Sequence, residues 1–150
     1  VKAQKAVDIL RRTRHDFLNH LQVITGYIEL GKLEDVKDYI TCIVEEMVAQ
    51  RTVFEFLDAE TALYLYEQMF LAHDLGIVLR YKDLKIKSSF VLTNNNEPYN
   101  TLKSLAEVVG DGEDEALMYL SLYEENEGEI DMVVSCAQLG EKTLEFKIKE

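Results

Sequence analysis

Between Lys2 and about Leu30 the chain holds no proline and one glycine, and its apolar residues Val7, Leu10, Phe17, Leu21, Ile24 and Ile28 recur at three-and-four spacing. That spacing lines one side of an α-helix and fits no β-strand, whose side chains alternate every two residues. Gly31 is placed to end this helix in the left-handed conformation, and Lys32 and Leu33 make the connection. A second helical pattern follows at Val36, Ile40, Ile43, Val44, Met47 and Val48. Residues 2 to about 56 therefore read as an antiparallel helical hairpin. Two helices cannot cover a broad apolar stripe on both members, and the common solution is to pair hairpins into a four-helix bundle. A homodimer through this region is the expectation.

The rest of the chain changes period. Thr61 to Leu75 carries helix-spaced Leu63, Tyr66, Met69, Phe70 and His73 and stops at Gly76. Ile77, Val78, Leu79 and Tyr81 read as a strand, Phe90 to Leu92 as another short run, and Asn94 to Asn96 as a loop. Glu97-Pro98 opens a helix over about Tyr99 to Val109, closed by Gly110 and Gly112. Ala116 to Tyr123 and Ile130 to Ala137 read as a hairpin, and Thr143 to Ile148 as a last strand. The expected fold class is α+β: a helical hairpin domain, residues 1–57, then a small α/β domain, residues 58–150, with helices on one face of a sheet.

Composition narrows the function classes. Of 150 residues, 28 are acidic and 16 are Lys or Arg, a formal charge of -12 that argues against nonspecific binding to nucleic acid or an anionic membrane. With 7 Gly and 1 Pro the chain is neither collagen-like nor low in complexity. Cys42 and Cys136 lie in no CxxC and near no histidine at ligand spacing, which fits a reduced, cytoplasmic protein with no metal site of its own. No apolar stretch approaches the roughly 20 residues of a membrane span, and no signal-peptide core is present.

Beside the apolar seam of the first helix runs a polar stripe: Asp8, Arg11, Arg12, His15, Asn19, Gln22 and Gly26, flanked by Arg14 and Asp16. His15 therefore points to solvent, with Arg11 and Arg12 one turn before it and Asn19 one turn after. Lys2, Lys5, Arg11, Arg12 and Arg14 face Asp8 alone among the first 14 residues, so positive charge gathers beside this histidine. A neutral imidazole is a nucleophile near pH 7, and guanidinium groups bind phosphoryl oxygens. Taken alone, a surface histidine on an Arg-rich helix is more often a solvated residue than a catalyst.

Other constellations lead nowhere. His15 and His20 are five apart, about 140° around a helix, so they form no i, i+4 zinc pair. His20 sits near the seam, where packing is its expected role, and His73 complements a helix C-terminus. Glu113 to Glu115 and the cluster Glu124, Glu125, Glu127 and Glu129 read as solvated turns without EF-hand spacing.

The run from Arg14 through His15, Asp16, Phe17, Leu18, Asn19, His20, Leu21 and Gln22 to Ile24, continued by Gly26 and Leu30, resembles the phosphoacceptor helix of the sporulation initiation phosphotransferase B family. It is similar also to that of citrate/malate-type sensor histidine kinases. The shared pattern is Arg-His-Asp, then Asn three positions on, Leu-Gln two further, and Gly-x-Ile/Leu beyond. The resemblance implies a two-component phosphorelay protein: a dimeric bundle with His15 as phosphohistidine, and a C-terminal domain related to the kinase ATP-binding fold. The implied partners are response-regulator receiver domains, which carry their own Mg²⁺; Arg11, Arg12, Arg14, Asp16, Asn19 and Gln22 become the candidates for docking and for holding the phosphoryl group.

The second half departs from a true kinase. Leu102 to Val109 lacks the Asn residues that hold Mg²⁺-ATP, Ser135 to Gly140 stands where Asp-x-Gly-x-Gly belongs, and no glycine-rich lid follows before Glu150. The reading is a phosphotransferase that passes a phosphoryl group between two regulator aspartates through His15, with no cofactor of its own. The alternatives are a sensor-kinase fragment, or a dimeric regulator-binding module that performs no transfer.

Overall fold

The structure, a computed structural model, describes residues 2–109, 115–140 and 142–150. In chain order it contains α1 (Lys2–Glu29), α2 (Leu33–Glu55), α3 (Ala59–Asp74), β1 (Ile77–Lys85), α4 (Phe90–Asn95), α5 (Tyr99–Val109), β2 (Ala116–Asn126), β3 (Glu129–Cys136), a 3-10 turn (Ala137–Leu139) and β4 (Leu144–Lys149). The chain divides into two compact units, residues 1–48 and 49–150.

In the first unit the turn between helices is set by Gly31. Its φ of 72° places it in the left-handed region, and its N–H donates to the Ile28 carbonyl at 3.0 Å while the Lys32 N–H donates to that of Tyr27 at 2.9 Å. These two bonds make a Schellman motif and satisfy carbonyls that the end of α1 would otherwise leave open. Glu34 and Asp35 occupy the first turn of α2, where acidic side chains complement the helix dipole. Between the helices His20 Nδ1 lies 2.7 Å from the Tyr39 hydroxyl, and the Tyr39 ring meets those of His20 and Tyr27 edge-on at 5.6 and 6.2 Å.

The apolar seam read from the sequence turns out to be mostly open. Val7, Leu10, Phe17, Leu21 and Ile28 of α1, with Ile40, Val44 and Met47 of α2, are exposed, Phe17 at 61% and Met47 at 65%; Ile24 is half-buried. The half-buried positions of α1 include Asp16, His20, Ile24 and Tyr27, a neighbouring face. Spacing identifies an apolar stripe; it does not say which helix the stripe meets.

In the second unit four strands form a mixed sheet in the order β1-β2-β3-β4. β1 runs parallel to β2, Ile77 opposite Ala116, with an irregularity between Tyr81 and Leu84; the other pairs are antiparallel. Glu127 and Gly128 join β2 to β3, and Gly128, at φ 82°, supplies the positive φ that tight hairpin turns need. Every second residue, among them Leu79, Tyr81, Met118, Leu120, Met132 and Val134, turns inward and packs in one core with Leu65 of α3, Leu92 of α4 and Leu102 of α5. Val53, near the end of α2, is fully buried in the same core, and the Phe54 ring meets Tyr66 at 5.0 Å. At the start of α3 the Asp58 carboxylate caps the helix, accepting from the Thr61 N–H at 2.7 Å.

Four local readings are corrected. Phe90 to Leu92 is not a strand-like run but the start of α4, which buries Val91 and Leu92 and leaves Phe90 exposed. Asn94 and Asn95 lie inside this helix; Asn96, at φ 51°, ends it in the left-handed conformation usually left to glycine. The acidic cluster is not one solvated turn: Glu124 and Glu125 continue β2, and Glu129 opens β3, with Lys147 and Lys149 across the sheet at 3.8 and 3.7 Å. Ala137 leaves the strand for the 3-10 turn. The expected Gly110 and Gly112 helix stop, with Glu113 and Asp114, lies outside the described residues.

Candidate histidine site on the first helix

His15 stands mid-helix on α1 with its side chain 74% exposed. Its Nδ1 is turned along the helix, 3.4 Å from Asn19 Nδ2 and 3.7 Å from Asp16 Oδ1. The first contact is the ordinary i, i+4 pairing of a helix face. The second bends back from the adjacent position and is too long for a hydrogen bond, although close enough for the carboxylate charge to act on the ring. With Nδ1 directed at these two side chains, Nε2 on the far edge of the ring is directed away from them.

The cationic stripe is placed as the spacing requires, and part of its charge is balanced locally. Arg11 pairs with Asp8 at 3.3 Å, and Asp8 also accepts from Gln4 at 3.0 Å. Arg12 is half-buried, whereas Arg14 and Gln22 are exposed. The structure thus brings Asp16 and Asn19 to the imidazole; Arg11, Arg12, Arg14 and Gln22 share its face or border it. His20, five residues on, is half-buried and engaged by Tyr39. Tyr39 carried no signal in the sequence reading, because the partner that gives it meaning is 19 residues away. His73 is in the last turn of α3, its Nε2 3.7 Å from Glu115 Oε1.

Residues 1–56 match the family described as sensor kinase SpoOB-type, alpha-helical domain. The SpoOB-type match takes in all of α1, the loop at Gly31 and α2, and it supports a phosphorelay-related role in broad terms. No curated protein matched the chain.

The second unit offers an open cleft of about 230 Å³ lined by Glu97, Asn100, Thr101, Ser104, Leu105 and Phe146. No Lys or Arg lines it, and Glu97 is already engaged by the Thr101 N–H at 3.2 Å, so it is poorly suited to a phosphate chain. The amides of Asn95, Asn96 and Asn100 are spent on hydrogen bonds within this unit, Asn95 donating to the Val91 and Lys149 carbonyls, Asn96 to the Asn100 side chain and Asn100 to the Asn95 carbonyl. Among the described residues no group of three or more His, Cys, Asp or Glu side chains is placed to hold a metal, and no helix is long and apolar enough to cross a membrane.

Proposed function

We propose that the chain is a phosphorelay phosphotransferase that carries a phosphoryl group on His15 between the aspartates of two response regulators. The observation that carries this reading is the exposed imidazole whose Nδ1 faces Asp16 and Asn19 while Nε2 faces outward, on a helix that matches the SpoOB-type domain. A phosphorylated regulator docks along the polar stripe. The Nε2 lone pair attacks phosphorus in line, the Nε2–P bond forms, and the P–O bond to the aspartyl carboxylate breaks. In the form that attacks, the ring proton is on Nδ1, so the phosphorylated ring is cationic, and the Asp16 carboxylate at 3.7 Å opposes that charge. A second regulator's carboxylate then attacks the same phosphorus from the other side and releases His15. Both carriers are high-energy, so no ATP is consumed.

Arg11, Arg12 and Arg14 steer the anionic group and stabilise charge on its oxygens, while Asn19 and Gln22 extend the docking face. Any Mg²⁺ belongs to the regulator, where it would neutralise the phosphoryl oxygens. Residues 1–57 serve as the phosphoacceptor and dimerisation domain, and two copies of the hairpin pair through the open stripe of Phe17, Leu21, Ile28 and Met47 into a four-helix bundle. Fully burying such a side chain is worth roughly 1.5–3 kcal/mol, enough in sum to offset the cost of association. Residues 58–150 are a kinase-like domain without ATP motifs.

The test is transfer of ³²P from a panel of phosphorylated receiver domains. Acid-labile, base-stable label should reach the wild-type chain and be absent from His15→Gln, whose circular dichroism stays unchanged because the side chain is 74% exposed. Label on His15→Gln refutes the assignment. A dimer that binds receiver domains without taking label is the non-enzymatic module instead.

A further inference from the structure

We propose that Asn19 is a positioning residue that decides which ring nitrogen of His15 carries the proton, and thereby whether Nε2 has a lone pair to attack with; its functional meaning rests on His15 being the phosphoacceptor. Two nitrogens 3.4 Å apart, as Asn19 Nδ2 and His15 Nδ1 are, bond only if one donates to a bare lone pair on the other. An amide nitrogen offers hydrogens and no lone pair. With that end of the amide toward the ring, as in this structure, Nδ1 is the acceptor and the proton of the neutral imidazole sits on Nε2. The outward nitrogen is then blocked by its own hydrogen, and the remaining lone pair, at Nδ1, lies under Asn19. His15 is idle in this arrangement.

Rotating the Asn19 amide by half a turn about its last torsion exchanges oxygen for nitrogen at nearly the same place, because that torsion is broad and roughly two-fold. Oδ1 then accepts from Nδ1–H, and the lone pair is on Nε2, facing solvent. No proton is gained or lost overall: one leaves Nε2 for water as another arrives from water at Nδ1. Asp16 leans toward the second arrangement, since its Oδ1, 3.7 Å from the same Nδ1, can only attract a proton there. The two neighbours thus oppose each other in the first orientation of Asn19 and agree in the second. With the ring 74% exposed, these contacts rather than packing govern it.

The experiment uses the full chain labelled with ¹⁵N. Ring nitrogen–proton correlation spectra are recorded at a pH where the imidazole is neutral, with His15 assigned by the peaks that His15→Gln removes. Wild-type His15 should be mainly the Nε2–H form. Asn19→Asp, which can only accept, should move it to mainly Nδ1–H, with Asn19→Leu between the two. Phosphoramidate, a small phosphodonor that needs no regulator, should label His15 roughly three- to tenfold faster in Asn19→Leu than in wild type, because losing the Asn19 bond to Nδ1 lets more of the ring carry its lone pair on Nε2. Identical tautomer populations in all three chains overturn the proposal. Altered populations without label on His15 leave the proton assignment standing and remove the phosphoacceptor reading, so the two failures are distinguishable.

Discussion

Replacing Tyr39 by phenylalanine deletes one oxygen atom and leaves the ring in place, which isolates the 2.7 Å bond between the two helices of the hairpin. A neutral hydrogen bond contributes about 0.5–1.5 kcal/mol net, and because both residues are half-buried the loss should lie near 1 kcal/mol. His20→Ala removes the same bond together with the edge-on ring contact at 5.6 Å, which adds roughly 0.5–1.5 kcal/mol. The double variant should cost less than the sum, leaving a coupling of about 1 kcal/mol. Thermal unfolding followed by far-ultraviolet circular dichroism reads this as a fall of roughly 2–8 °C per kcal/mol. The same variants separate the two histidines: phosphoryl transfer per folded molecule should be kept in His20→Ala and Tyr39→Phe. Additive single variants, or a Tyr39→Phe stability within about 0.3 kcal/mol of wild type, would refute a stabilising role for the His20–Tyr39 bond. Loss of label in a folded His20→Ala chain would assign the phosphoryl group to His20 instead of His15.

Leu21→Lys should give a folded monomer, because Leu21 is 44% exposed within one chain and meets a partner only in the proposed bundle, where an unpaired charge is costly; sedimentation that finds wild type monomeric at tens of micromolar removes the dimer. Titration calorimetry with Mg²⁺-ATP should detect no binding, and micromolar affinity would favour the sensor-kinase alternative. Gly31→Ala should destabilise the hairpin by about 1 kcal/mol or more through backbone strain alone, since its φ is +72° and nothing lies within 4 Å of the added methyl; an unchanged melting temperature would refute the assigned turn.

Much of the candidate site is legible along α1 because it is local. His15, Asp16 and Asn19 are neighbours by helical spacing, so finding the helix is enough to predict that they meet. The direction of the imidazole, with Nδ1 turned toward Asn19 and Asp16, and the sharing of Asp8 between Arg11 and Gln4 depend on rotamers, which residue spacing does not encode. His20 lies near the apolar seam by spacing alone, whereas its actual partner, Tyr39, lies on α2.

The sequence by itself determined what short-range chemistry can decide: two long helices from apolar spacing, their turn from Gly31, the β2–β3 hairpin around Gly128, and a polar stripe carrying one histidine. Tertiary structure decided the rest. Phe90 to Leu92 is too short for its period to be distinguished, and becomes helix because Val91 and Leu92 are buried in the core under the sheet. β1 pairs in parallel with β2 across a connection that contains α4 and α5, a choice made by hydrogen bonds between residues nearly 40 apart, which no local pattern encodes. Glu129 extends β3 despite its charge because it pairs with Asn126 and Lys149, and Glu124 and Glu125 stay in β2 at the irregularity between the paired residues Tyr123 and Asn126. Local spacing reports the conformations a segment favours, whereas burial and long-range hydrogen bonding select among them only once the chain has closed on itself.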